Sequence, residues 1–208
     1  MTQTRFTSEP TGEAALQEAE ALLQAGLVAS RHDDSERALH FFARASAANP
    51  SGAMPHFLIG SEFAALGQMD KAEAEIANAV LLAPGLHLAR YQLGLLQFSA
   101  GRGAVALVTW APLLALGDDQ ALSRYVLGFA ALAQDDFTSA QNHFDSGLAL
   151  HQDNPAVATD IRKVLAGMDV VRGNGTAQEV GKPPAQPAAD ATASHVLVSN
   201  YGKFGSLH

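Results

Sequence analysis

The sequence contains no cysteine, which excludes disulfides, thiolate metal sites and a cysteine nucleophile. A zinc site built from histidine and carboxylate stays open on composition. Basic residues are scarce: 13 lysines and arginines stand against 21 aspartates and glutamates, a formal net charge of -8. That balance argues against a nucleic-acid partner, because holding phosphates needs a basic surface. No run approaches the ~18 consecutive apolar residues of a membrane span. The polar stretch 1–11 lacks the apolar core of a secretory signal, so with Met1 as the natural start a cytoplasmic protein is expected. Charged residues make up only 16% of the 208, while hydrophobic ones reach 48%. Most of such a chain has enough apolar surface to fold. Alanine and leucine dominate and β-branched residues are sparse before the C-terminal end, which favours helix.

What is present is a period. Glycines stand at Gly26, Gly60, Gly94 and Gly128, each 34 residues after the last. Alanines follow the same step at Ala38, Ala72, Ala106 and Ala140. So do the large apolar residues Phe42, Ile76, Trp110 and Phe144, and Pro50 and Pro84 are one period apart. Four series sharing one interval mark a repeat protein.

Each series has a physical cause. A glycine inside a helix costs roughly 1 kcal/mol relative to alanine, so its recurrence predicts close approach of a second helix. The recurrent alanine precedes the large apolar residue by four, which puts both on one face of that second helix. Small beside large lets neighbouring helices interlock. Proline after the second helix stops it, since the ring cannot continue the hydrogen-bond ladder.

These residues resemble the tetratricopeptide repeat. The second unit carries His56, Ile59, Gly60, Phe63, Ala72, Ile76 and Pro84 at that repeat's spacing. The first gives Leu22, Gly26, Ala38, Phe42, Ala45 and Pro50; the third Leu93, Gly94, Ala106 and Trp110; the fourth Leu127, Gly128, Ala140 and Phe144. The resemblance spans about residues 19–152. It departs where Asp118 and Gln152 replace the closing proline, and where Ala25 replaces the leucine before Gly26.

The expected fold is all-α, a right-handed α-solenoid of four helix pairs with a C-terminal capping helix and a flexible tail. Repeats are expected at about 19–52, 53–86, 87–120 and 121–154, within a domain of residues 12–170. First helices are placed near 12–31, 53–66, 87–100 and 120–133, and second helices near 35–48, 69–82, 103–116 and 136–150. Asp70 and Asp135 are the expected second-helix caps. Pro112 should bend or shorten its helix. Asn154-Pro155 should open a polar closing helix over 155–170.

Composition then shifts. Residues 171–194, rich in glycine, alanine and proline, read as a flexible linker, and 1–11 as a disordered start. The end, 195–208, regains apolar and aromatic residues (His195-Val-Leu-Val-Ser-Asn-Tyr-Gly-Lys-Phe). An exposed apolar cluster costs solubility, so the tail is a candidate occupant of the protein's own groove.

The resemblance implies a concave surface lined by the first helices. Spacings of three and four place Glu20, Leu23 and Leu27 there from unit one, and Met54, Phe57 and Ser61 from unit two. Unit three adds Leu88, Tyr91, Leu95 and Phe98, and unit four Leu122, Tyr125 and Phe129. Relatives that hold chaperone C-termini do so with lysine, arginine and asparagine. Leu23, Phe57, Tyr91 and Tyr125 stand at a position where such a residue would recur, which argues against a carboxylate clamp. An apolar peptide or amphipathic helix with aromatic anchors is the expected partner, with Arg90 and Arg124 at the groove edge. The alternative for each aromatic is packing between helices.

No chemistry competes with this reading. The histidines lack ligand spacing, and no zinc-protease, phosphate-loop or nucleophile-elbow motif occurs. Gly101-Arg102-Gly103 reads as a tight turn. No metal, cofactor or enzymatic activity is expected. The leading expectation is a non-enzymatic adaptor or scaffold that binds protein. Two alternatives remain: a cytoplasmic chaperone for a secreted client, similar to those of type III translocators, and a regulatory module occluded by its own tail.

Overall fold

Nine α-helices run through the described residues, 12–151 and 154–175 of the computed structural model, with side chains to Asp169. They are α1 (Gly12–Arg31), α2 (Ser35–Ala48), α3 (Ala53–Ala65), α4 (Met69–Leu82), α5 (His87–Ser99), α6 (Gly103–Leu114), α7 (Ala121–Leu132), α8 (Phe137–Ala149) and α9 (Pro155–Gly175). The expected leader 1–11, most of the linker and the apolar tail lie outside them. Each odd-numbered helix from α1 to α7 pairs with the even-numbered helix after it, and successive pairs stack into an all-α solenoid.

A series not read from the sequence sets the sharp turn within each pair. Asp33, Gly67, Gly101 and Asp135, again 34 apart, all take left-handed backbone, with φ of 59°, 72°, 75° and 57°. Asparagine, aspartate and glycine are the residues that enter this region at least cost. The turn moves the caps. Asp136, not Asp135, caps α8, its carboxylate accepting the Ser139 N–H at 2.9 Å. Asp34 caps α2 through the Arg37 N–H at 3.1 Å. Asp70 is no cap either: α4 starts after Gln68, and Asp70 lies in its first turn.

The glycine and large-residue series turn out to be partners. A Cβ built on Gly26, Gly60, Gly94 or Gly128 would lie under 3.0 Å from Phe42, Ile76, Trp110 or Phe144 respectively. Those four large side chains and the four recurrent alanines are fully buried. Burying each large one contributes about 2–3 kcal/mol, which outweighs the helix cost of its glycine. Pro50 and Pro84 sit two residues beyond α2 and α4. Pro112 shortens α6, which ends at Leu114; the chain continues through turns from Pro112, Leu113 and Leu114 carbonyls to Ala115, Leu116 and Gly117.

Two hydrophobic cores meet at α5. Leu22, Phe42, Phe57, Ile76 and Leu93 belong to the first, Tyr91, Trp110, Tyr125 and Phe144 to the second, and Leu88 touches both. The closing helix is less polar than its sequence suggested. Val157, Ile161 and Met168 of α9 are buried in the second core, with Val164 and Leu165 packed against it. It also runs past Val170 to Gly175, because extending a formed helix costs little per residue until glycines accumulate.

Candidate functional site

The first-helix surface divides in two. Leu23, Leu27, Phe57, Tyr91, Tyr125 and Phe129, all expected to line a groove, are buried, and Ser61 with them. Packing between helices therefore claims them: Tyr125 presses on Gly147 of α8, where a Cβ would meet its ring at 2.6 Å. The Ser61 hydroxyl donates to the Phe57 carbonyl of its own helix at 2.9 Å. Met54, Leu88, Leu95, Phe98 and Leu122 are half-buried, and Glu20 is exposed. Three- and four-residue spacing finds the inward stripe of a helix but not its width, and most of each stripe is used between helices.

An aromatic cluster joins units three and four. Trp110 stacks with Tyr91, Phe98 and Phe129 at centroid distances of 6.0, 5.9 and 5.1 Å. Phe129 meets Phe144 edge-on at 5.1 Å, and Tyr91 lies 6.5 Å from Tyr125. The Trp110 indole N–H donates to the Tyr91 carbonyl at 2.8 Å, so the cluster is fixed in rotation as well as in position.

The α9 helix reaches this cluster. Burial first, then the carboxylate of Asp160 and the phenol of Tyr125, push the Tyr91 phenol above its usual range. Desolvation raises Asp160 in turn, against the opposing pull of Lys163. The Tyr91 hydroxyl has no hydrogen-bond partner among the described residues. An amphipathic helix, the chain's own, thus shares a core with the aromatics of α5 to α8.

The edge arginines are structural ties. Arg90 donates to the Thr109 and Pro84 carbonyls, each at 3.4 Å. Arg124 donates to the Asp118 carbonyl at 2.9 Å and lies 3.6 Å from its carboxylate. Arg102, read only as part of a turn, forms a two-pronged ion pair with Glu73 of α4. Gln97 donates to the same carboxylate at 3.3 Å and accepts from the Thr109 hydroxyl at 2.7 Å. These partners, Arg102 foremost, hold Glu73 below the usual carboxylate range despite an opposing desolvation effect.

His56 makes a further tie that sequence reading missed. Its Nδ1 donates to Glu75 of α4 at 2.7 Å, and its Nε2 lies 3.3 Å from the Ser46 hydroxyl of α2. Serine, histidine and carboxylate in that order resemble a hydrolytic triad. Ser46 sits inside a helix, however, where the neighbouring N–H groups serve the helix ladder, so they do not converge on an oxyanion. The arrangement is a strut across three helices. Among the described residues no three His, Asp or Glu side chains are grouped to hold a metal, and no helix is long and apolar enough to cross a membrane.

No protein-family model and no curated protein matches the sequence. Solved structures do match in fold. MamA from Desulfovibrio magneticus RS-1, residues 41 to the end, is 16% identical with a TM-score of 0.57, covering 91% of this chain and 98% of that one. The APC/C hetero-tetramer Cut9-Hcn1 gives 22% identity and a TM-score of 0.64 over 76% of this chain and 30% of that one. PilF of Pseudomonas aeruginosa gives 18% and 0.58, covering 81% and 79%.

Proposed function

We propose, from the premise that the chain is a tetratricopeptide-repeat solenoid, that it is a non-enzymatic protein-interaction scaffold. Its partner is an apolar peptide or amphipathic helix that docks on the first helices. The observation that carries this reading is the set of apolar side chains left half-buried there: Met54 on α3, Leu88, Leu95 and Phe98 on α5, and Leu122 on α7. A half-buried apolar residue still gains from a partner, about 25 cal/mol for each Å² covered, whereas Tyr91 and Tyr125 have nothing left to cover. That α9 already packs an amphipathic face against the same units supports a helical ligand over an extended one.

The test is selection from a displayed library of amphipathic helices on the immobilised full chain, followed by titration of the winner. Leu88→Glu with Leu122→Glu should weaken its binding at least tenfold, with the helical signal unchanged. Selected helices indifferent to that pair would sink the reading. The chaperone reading rests on this same surface and predicts, in addition, that co-expression with one secreted client keeps that client soluble.

A further inference from the structure

The two ends of the solenoid differ. At the far end α9 closes the array, with Val157, Ile161 and Met168 buried in the second core. At the near end no described helix precedes unit one. Val28 of α1 is 48% exposed, whereas Glu62, its counterpart one period on, is 2% exposed. Repeat units bury their apolar faces by stacking, so an end without a neighbour keeps apolar surface in reserve. That end also holds a pocket of about 310 Å³, lined by apolar Ala25, Val28, Ala29 and Phe41 and by polar Asp34 and Arg37. Ala25 leaves the room for it, standing where the later units have Ile59, Leu93 and Leu127.

The other repeats show what such a face receives. Two periods on, Ala29, Asp34 and Phe41 correspond to Gln97, Arg102 and Thr109. Gln97 and Arg102 both bind Glu73 of α4, the second helix of the preceding unit, and Thr109 joins that link through Gln97. The pocket of unit one is thus the counterpart of the seat that α4 takes on unit three. We infer that this end face is a second binding site, for an amphipathic helix of another protein. That helix packs beside α1 as α4 packs beside α5, with a large apolar side chain in the pocket next to Ala25. One apolar helix face is what stacks on each later unit, and close packing over a residue as small as Ala25 requires the incoming side chain to be large. The chain does not supply that helix from α1, which runs on from Ala25 to Gly12, about 20 Å along its own axis. Charge opposes a second copy as the occupant, since two chains of net charge -8 repel. The site shares no residue with the half-buried first-helix surface, so each stands or falls alone.

The test uses the full chain. A displayed library of amphipathic helices is selected against it with excess Val28→Glu chain in solution as competitor, and the winning helix is titrated. Val28→Glu places at the pocket the residue type that unit two already carries as Glu62, so helical content should be unchanged. It should weaken the winner at least tenfold, as should Ala25→Leu, which fills the pocket with the side chain of unit three. If Ala25→Leu disturbs the fold, Val28→Glu decides alone. Leu88→Glu with Leu122→Glu should leave this winner's affinity unchanged, which separates the site from the first-helix surface. The inference is overturned if no helix survives the competition, or if the winner responds to the Leu88 and Leu122 changes and not to Val28→Glu. It is overturned as well if binding appears only after residues 1–11 are deleted, which would make the chain's own leader the occupant. Sedimentation showing a wild-type dimer that Val28→Glu dissociates would overturn it in favour of a second copy.

Discussion

Gly94 and Trp110 occupy one space: a methyl group on Gly94 would fall inside the indole ring, under 3.0 Å from three of its atoms. The indole cannot retreat, because its N–H is bonded to the Tyr91 carbonyl and its faces meet Phe98 and Phe129. Gly94→Ala should therefore cost about 3 kcal/mol, at the upper end of overpacking effects, despite alanine's better helix propensity. Gly167 of α9 has open space where its Cβ would go, and Gly167→Ala should instead stabilise by about 1 kcal/mol. Thermal unfolding of the two variants beside wild type checks both signs.

That pair explains why so much of the fold was legible. Periodic spacing alone singles out both Gly94 and Trp110, because a steric requirement repeated four times leaves the same kind of residue four times. The left-handed turns were harder to see, since two aspartates and two glycines meet one backbone demand with different side chains. The candidate site was less legible still. Tyr91 and Leu88 lie on the same inward stripe of α5, yet one is buried and the other half-buried. That difference comes from neighbouring helices and from α9, whose arrival over units three and four has no local signature. Nor does a short-range pattern reveal that Arg102 reaches Glu73, 29 residues away.

The turn series gives a pair of opposite substitutions. Gly67 and Asp135 hold equivalent left-handed positions, with φ of 72° and 57°. Gly67→Ala should destabilise by about 1 kcal/mol, because alanine cannot take that backbone without strain. Asp135→Gly should stabilise by about 0.5 kcal/mol, the relief of strain being partly offset by glycine's greater freedom when unfolded. Chemical denaturation midpoints, with slopes unchanged, measure both.

Acid should weaken the solenoid through two named carboxylates. Glu73 is held below its usual range chiefly by Arg102, and Asp136 by its hydrogen bonds from Ser139. A carboxylate with a depressed folded-state pKa stabilises fully above its unfolded value and loses that contribution as pH falls through the folded one. Melting temperature should thus drop below about pH 4, where free carboxylates titrate. Glu73→Gln should melt ~2 °C lower at neutral pH, and its deficit should shrink as the pH falls. A deficit that is constant with pH would show that the Arg102 pairing contributes nothing through charge.

Asp160 has the opposite sign. Desolvation raises its pKa, so its folded form favours the proton, and what stability it lends is present in acid and lost as pH rises through the raised value. At neutral pH it is a half-buried anion near the phenol of Tyr91, whose own hydroxyl is buried without a partner among the described residues. Each is a cost that the helix packing of α9 overcomes. Asp160→Asn should therefore raise the melting temperature by ~2 °C at pH 7, a gain that disappears below about pH 4, where aspartate is protonated in both states. Tyr91→Phe removes that buried hydroxyl and should add about 1 kcal/mol at any pH below the range of phenol ionisation. If the two side chains act on one another through the α9 contact, the double variant will gain less or more than the sum of the single ones. If the gains simply add, α9 and α5 share a core without sharing an electrostatic coupling.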